Sequence, residues 1–285
     1  IQAFIFFMIG WWFRNFRSPI RRAMMTEVTE PEERSEAFGI LHSLDIAGAL
    51  LAITYLSVLL FLGYSPFKIL LFTSIPLVVS TVLLGLSRAG SNRHERVKSG
   101  EKLGGRVFWT VVFSTMFFGF SYYSFGFPIL TVAQLTGKDY MGIIAYGIFL
   151  GSSSLLGYIF GKTRIAEAKG LAFLGYFLAS MASLGFGLLG NYGIISFYPL
   201  SFLLGSSVAA TEVFEPTIVS KVVRAERMGQ GMGMLSVGRS IGILIGNVVM
   251  GFLYQLSYSY AYFFASAMSF IAFLLVLVIV IIEKD

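Results

Sequence analysis

The side chains that could do chemistry are few, and they sit where charge is costly. Arg14, Arg17 and Arg21 recur at i, i+3 and i+7 inside an apolar block, which places all three on one helical face. Glu212 and Glu215, at i and i+3, share a face just before Pro216. His42 and Asp45 lie one turn apart, and Arg239 stands between Gly238 and Gly242. A charge held in hydrocarbon must be buried against protein, paired, or turned toward a water-filled cavity. Arginines and glutamates at similar depth could therefore form a breakable ion pair. A carboxylate beside an imidazole could exchange a proton, or Asp45 could simply pair with a neighbouring helix.

The elements that must position these groups are helices surrounded by lipid. Hydrophobic residues make up 56% of the 285 and charged residues only 13%, about half the charged share of a soluble domain. Mean hydropathy is +0.79. Apolar blocks fall near 1–25, 37–62, 67–87, 107–135, 141–160, 168–190, 193–220, 228–256 and 260–282. Each has roughly the twenty residues a helix needs to cross a bilayer. They are continuously apolar rather than alternating, which favours helices over a barrel. The fold class expected is all-α membrane.

Composition excludes several functions. Without cysteine there is no disulfide framework, thiolate metal site or cysteine nucleophile, and two histidines are too few for a histidine metal cluster. No H-E-x-x-H or G-x-S-x-G arrangement occurs, so neither an enzyme nor a cofactor or metal is expected. The net charge of +6 is not a nucleic-acid signal, because the basic residues lie between apolar blocks, where they set topology. One alternating set of connections holds Arg21, Arg22 and Arg34, then the run from Arg88 to Arg106, then Lys162, Arg164 and Lys169, then Lys221, Arg224 and Arg227. The opposite set holds Lys68 and Lys138. The first set is expected in the cytoplasm, and the C-terminus with it.

Residues 33–48 and 226–242 resemble each other across a one-residue gap. Glu33-Arg34 overlays Glu226-Arg227, Gly39 overlays Gly233, Gly48 overlays Gly242, and Asp45 falls opposite Arg239. A proline-bearing helix precedes each copy, with Pro19 in one and Pro216 in the other. Such duplication is how many carriers are built. Residues 14–51, with Pro31-Glu32-Glu33-Arg34, Ala37-Phe38-Gly39 and Asp45, resemble the fourth helix, cytoplasmic loop and fifth helix of prokaryotic major facilitator superfamily transporters. Gly157 to Arg164 looks like the second copy of that superfamily's G-x-x-x-D-R-x-G-R-R loop, with Gly161 in place of the aspartate.

The resemblance implies a two-bundle helical transporter fold with nine of twelve transmembrane helices present, the family's fourth to twelfth. It divides the chain into a partial N-terminal bundle (1–87), a central cytoplasmic loop (88–106) and a C-terminal six-helix bundle (107–285). Helices one to three are then missing, and the transport-competent protein is expected to be longer. The function implied is secondary active transport of a small solute by alternating access, proton coupled, in a monomeric multi-pass protein of the plasma membrane. The alternative is a non-transporting receptor or scaffold of the same fold.

In that fold helices four and ten meet at the cytoplasmic end of the cavity. The expected gate pairs Arg14 or Arg17 with Glu212 or Glu215 in the outward-open state. Asp45 and His42 are the coupling candidates, and Arg239 is an interface charge expected to meet a carboxylate. Tyr122, Tyr123, Gln134 and Tyr146 are the cavity candidates, since Gly119, Gly126 and Pro128 interrupt that region as a midplane site requires.

Overall fold

The computed structural model describes residues 5, 9, 18–86, 103–121, 126–163 and 165–282. Helix α1 covers 18–27. It is followed by α2 (Arg34–Phe61), α3 (Pro66–Leu86), α4 (Arg106–Ser121), α5 (Gly126–Thr136) and α6 (Asp139–Lys162). A three-residue α7 (Glu167–Lys169) runs through a π-helical stretch (Gly170–Phe177) into α8 (Leu178–Leu188). Then come α9 (Phe197–Val222), α10 (Met228–Leu256) and α11 (Tyr258–Ile282).

Among the described residues seven helices are long and apolar enough to cross a membrane, and a shorter apolar helix covers Phe67–Ser80. Nine blocks were expected from the sequence. Most of the first lies outside the described residues, and the third carries the shorter helix. The block 107–135 contains both α4 and α5. The blocks end where backbone chemistry demands it. Gly63 (φ 79°) and Gly137 (φ 64°) adopt left-handed conformations just past α2 and α5, where a Cβ would be strained. Pro66 opens α3, a position whose N–H needs no helical partner.

Large apolar side chains point outward along these helices, among them Leu51, Leu83, Leu244 and Phe252. Such a surface is compatible with lipid and not with water. The interior is organised around α9, which is buried over nearly all of Leu204–Ser220. Helices α2 and α6 pack on α9 and on each other, while α4 packs on α10 and α11, and α11 on α8. Small residues permit these approaches. A Cβ on Gly246 would lie 2.6 Å from Phe120 Cα, and one on Gly119 would lie 2.6 Å from the Arg239 carbonyl oxygen. Helices α8 and α11 are clasped by reciprocal serines. Ser180 Oγ donates to the Ser266 carbonyl at 3.0 Å, and Ser266 Oγ donates to the Ser180 carbonyl at 2.9 Å. In lipid, where apolar burial drives little association, such contacts hold helices together. Gly246→Val is expected to force α4 from α10 and cost about 1–3 kcal/mol, read as a lower melting midpoint in detergent, whereas Gly251→Ala, with open space at its Cβ, should leave the midpoint unchanged.

Candidate functional site

The site forms where α1 meets α9 and α10. Helix α9 carries Glu212 and Glu215 one turn apart, so both carboxylates reach the same neighbours. Glu212 pairs with Arg22 of α1 through one oxygen and with Arg239 of α10 through the other. Arg239 also pairs with Glu215, and its Nε donates to Thr115 Oγ1 of α4 at 3.2 Å. Glu215 is fully buried. It accepts further hydrogen bonds from Thr115 Oγ1 at 2.9 Å and from the Tyr176 hydroxyl at 2.7 Å. Two arginines and two carboxylates give the cluster zero net charge. Charge-assisted bonds of this kind offset the cost of taking the ions out of water.

Arg22 and Glu212 have side chains only 12% and 11% exposed. Their pair joins α1, from the N-terminal part of the chain, to α9, from the C-terminal part. Further ties close the same end. Arg34 Nη1 donates to the Ser220 carbonyl at 2.6 Å, near the C-terminus of α9, where a helix dipole favours a cation. Lys162 of α6 approaches Glu36 of α2 at 3.9 Å on the surface.

Between α2 and α6 the contact is close and polar. Ser43 Oγ donates to the Ser154 carbonyl at 2.7 Å, Ser154 Oγ donates to the Ser43 carbonyl at 3.0 Å, and His42 Nε2 lies 2.9 Å from Ser153 Oγ. Below them the backbones nearly touch. A Cβ on Gly161 would come 2.9 Å from Gly39 Cα and 3.0 Å from the Ser35 carbonyl oxygen. That geometry accounts for the glycine at position 161: no side chain fits between these helices.

Of the residues singled out in the sequence, Glu212, Glu215 and Arg239 come together. Arg14 and Arg17 lie outside the described residues, as do Tyr122 and Tyr123. Asp45 and His42 do not bond each other. Asp45 binds Arg21 of α1 through both oxygens, one contact at 2.8 Å, and both side chains are partly exposed. His42 and Asp45 line a polar cleft with Arg21, Arg22 and Glu212. Gln134 lies near the end of α5, exposed, and accepts from the Tyr254 hydroxyl at 3.0 Å. Tyr146 is half-buried and stacked on Phe149, with ring centroids 6.1 Å apart.

Arg22, Thr115 and Tyr176 are not legible as site residues in the sequence. Arg22 reads as a loop charge, yet α1 runs on to residue 27 and carries it inside the helix. Thr115 and Tyr176 gave no signal, because an uncharged hydroxyl in an apolar helix is ordinary.

No family model and no curated protein matches the sequence. Among solved structures the chain is similar to the human organic anion transporter MFSD10 (TETRAN), with a TM-score of 0.64 and 15% identity, over 90% of this chain and 67% of that one. The likeness establishes the fold: an all-α membrane protein of the major facilitator type, with its helices in two bundles.

Proposed function

We propose that this protein is a secondary transporter that moves a small solute by alternating access, and that Arg22 and Glu212 form its cytoplasmic gate. The observation that carries the reading is the nearly buried ion pair joining α1 to α9. A bond between the two bundles that is satisfied in one arrangement and broken in another biases the equilibrium between them. Arg22 and Arg34 flank the loop 28–33, and Arg224 and Arg227 lie in 223–227, which supports a cytoplasmic position. The solved structure with this fold is described as an organic anion transporter. Arg14 and Arg17, three residues apart in an apolar block, suit an anionic solute as well.

Solute counterflow in proteoliposomes tests the carrier reading, since a scaffold or receptor of the same fold would show none. Arg22→Gln is expected to leave the closed state short of one bond and raise the population open at this end by about 5–150-fold, the range for 1–3 kcal/mol of coupling. Cysteine accessibility at the cytoplasmic mouth reads that population. Unchanged accessibility in Arg22→Gln would remove the gate.

A further inference from the structure

The ion pairs sort by whether they cross between the bundles. Arg21–Asp45 joins α1 to α2, and Arg239 joins α10 to α9, so each stays within one bundle. Two described pairs cross. Lys162–Glu36 is long and about half-exposed on both sides, whereas Arg22–Glu212 is nearly buried. Parting the bundles therefore changes the company of one buried carboxylate.

Charge counting gives the consequence. With Arg22 gone, the C-terminal cluster holds Glu212, Glu215 and Arg239, a net charge of −1 in an otherwise apolar helix bundle. Arg239 carries a single positive charge, already shared between Glu212 and Glu215, so it balances only one of the two carboxylates. A guanidinium does not give up its proton in proteins, whereas a carboxylate can take one. Glu215 keeps its donors from Tyr176, Thr115 and Arg239 in either arrangement. Asp45 keeps Arg21 beside it because both belong to the same bundle. Only Glu212 is left with a freed oxygen and an uncompensated charge.

We propose that Glu212 is the proton-coupling residue, ionised while it bridges Arg22 and Arg239 and protonated when the bundles part. The inference rests on the alternating-access reading. A proton from water entering the opened end adds to the oxygen that Arg22 vacates. One O–H bond forms, Arg22 remains charged and hydrated, and the C-terminal cluster returns to neutrality. Re-closure expels the proton as Arg22 returns. The groups facing Glu212 are Arg22 of α1, His42 and Asp45 of α2 across the cleft, Arg239 of α10 and Glu215 on its own helix. From α6, Ser153 meets His42, and Lys162 lies at the far end beside Glu36. From α4 and the π-helical stretch, Thr115 and Tyr176 reach Glu215.

The test needs no knowledge of the solute. The chain has no cysteine, and Glu32 and Glu226 are exposed on the loops either side of the gate. Spin labels on Glu32→Cys and Glu226→Cys in the full chain, reconstituted in nanodiscs, report the opening as a distance distribution between about pH 5 and about pH 9. The open-to-closed ratio should rise as pH falls, by up to about tenfold per pH unit for one proton. Glu212→Gln should be open-biased and insensitive to pH, and Glu212→Asp should restore the pH slope, which separates loss of the proton site from misfolding. Asp45→Asn and His42→Gln should keep the slope. A slope that survives in Glu212→Gln, or disappears in Asp45→Asn or His42→Gln, overturns the assignment. A wild-type distribution that ignores pH but opens with Arg22→Glu would remove the proton site and leave the gate. A distribution that ignores both would remove the gate itself.

Discussion

Arg239→Leu is expected to cost about 3–5 kcal/mol of stability, the largest loss from any single substitution in the cluster. The guanidinium binds two carboxylates on successive turns of α9 and a threonine of α4. Removing it leaves Glu212 and Glu215 as near neighbours, with Arg22 alone to balance them and Glu215 wholly out of water. The melting midpoint in detergent reads the loss. Arg239→Lys should recover only part of it, because an ammonium cannot bind two carboxylates and Thr115 with the fork of a guanidinium. Removing the partner together with the charge distinguishes an ion-pair effect from a packing effect. The double change Arg239→Leu with Glu215→Leu should be more stable than Arg239→Leu alone, since it strands one carboxylate fewer. A double variant no better than the single one would mean that the guanidinium acts through packing.

Gly161→Leu is expected to stop closure at the end where Arg22 meets Glu212. Its Cβ would fall 2.9 Å from Gly39 Cα and 3.0 Å from the Ser35 carbonyl oxygen, and both obstacles are backbone. Backbone cannot swing aside as a side chain would, so α2 and α6 must separate. Separation stretches the Ser43–Ser154 clasp and the His42–Ser153 contact above it. The cost of about 1–3 kcal/mol falls on the closed arrangement alone, because the clash exists only where the helices touch. Closed molecules should then become about 5–150-fold rarer, and counterflow should fall with them while the melting midpoint moves little. Gly151→Leu, on the same helix with open space around its Cβ, is the control. Equal loss of counterflow in both variants would show that α6 tolerates no bulk anywhere, and the closure argument would fail.

The two ion-paired helix pairs have opposite polarity. In α1 and α2 the arginine is on the first helix and the carboxylate, Asp45, on the second. In α9 and α10 the carboxylate is on the first and Arg239 on the second. The repeat between residues 33–48 and 226–242 placed Asp45 opposite Arg239 with no contact known, and each proves to bind the helix that precedes its own. The inverted order leaves Arg22 of α1 facing Glu212 of α9. That complementarity joins the two helices, beside the Arg34–Ser220 and Lys162–Glu36 ties.

The all-helical, apolar character of the chain was written in the sequence, because twenty-residue apolar blocks are local features that need no knowledge of neighbours. So was the oddity of each charge within them, since hydrocarbon penalises a charge wherever it lies. Gly161 was visible as a departure from a loop pattern, but its reason was not, because the obstacle is the backbone of α2, more than a hundred residues away. Which arginine meets Glu212 was likewise undetermined. Arg14, Arg17, Arg21 and Arg22 are close in sequence, and of the two that lie on the described α1, helix rotation and packing distance bring Arg22 to Glu212 and Arg21 to Asp45. Thr115 and Tyr176 carry no charge and acquire a role only by lying beside Glu215. Local pattern shows that charges must find partners inside an apolar bundle; which partners they find depends on distances between helices that no local pattern encodes.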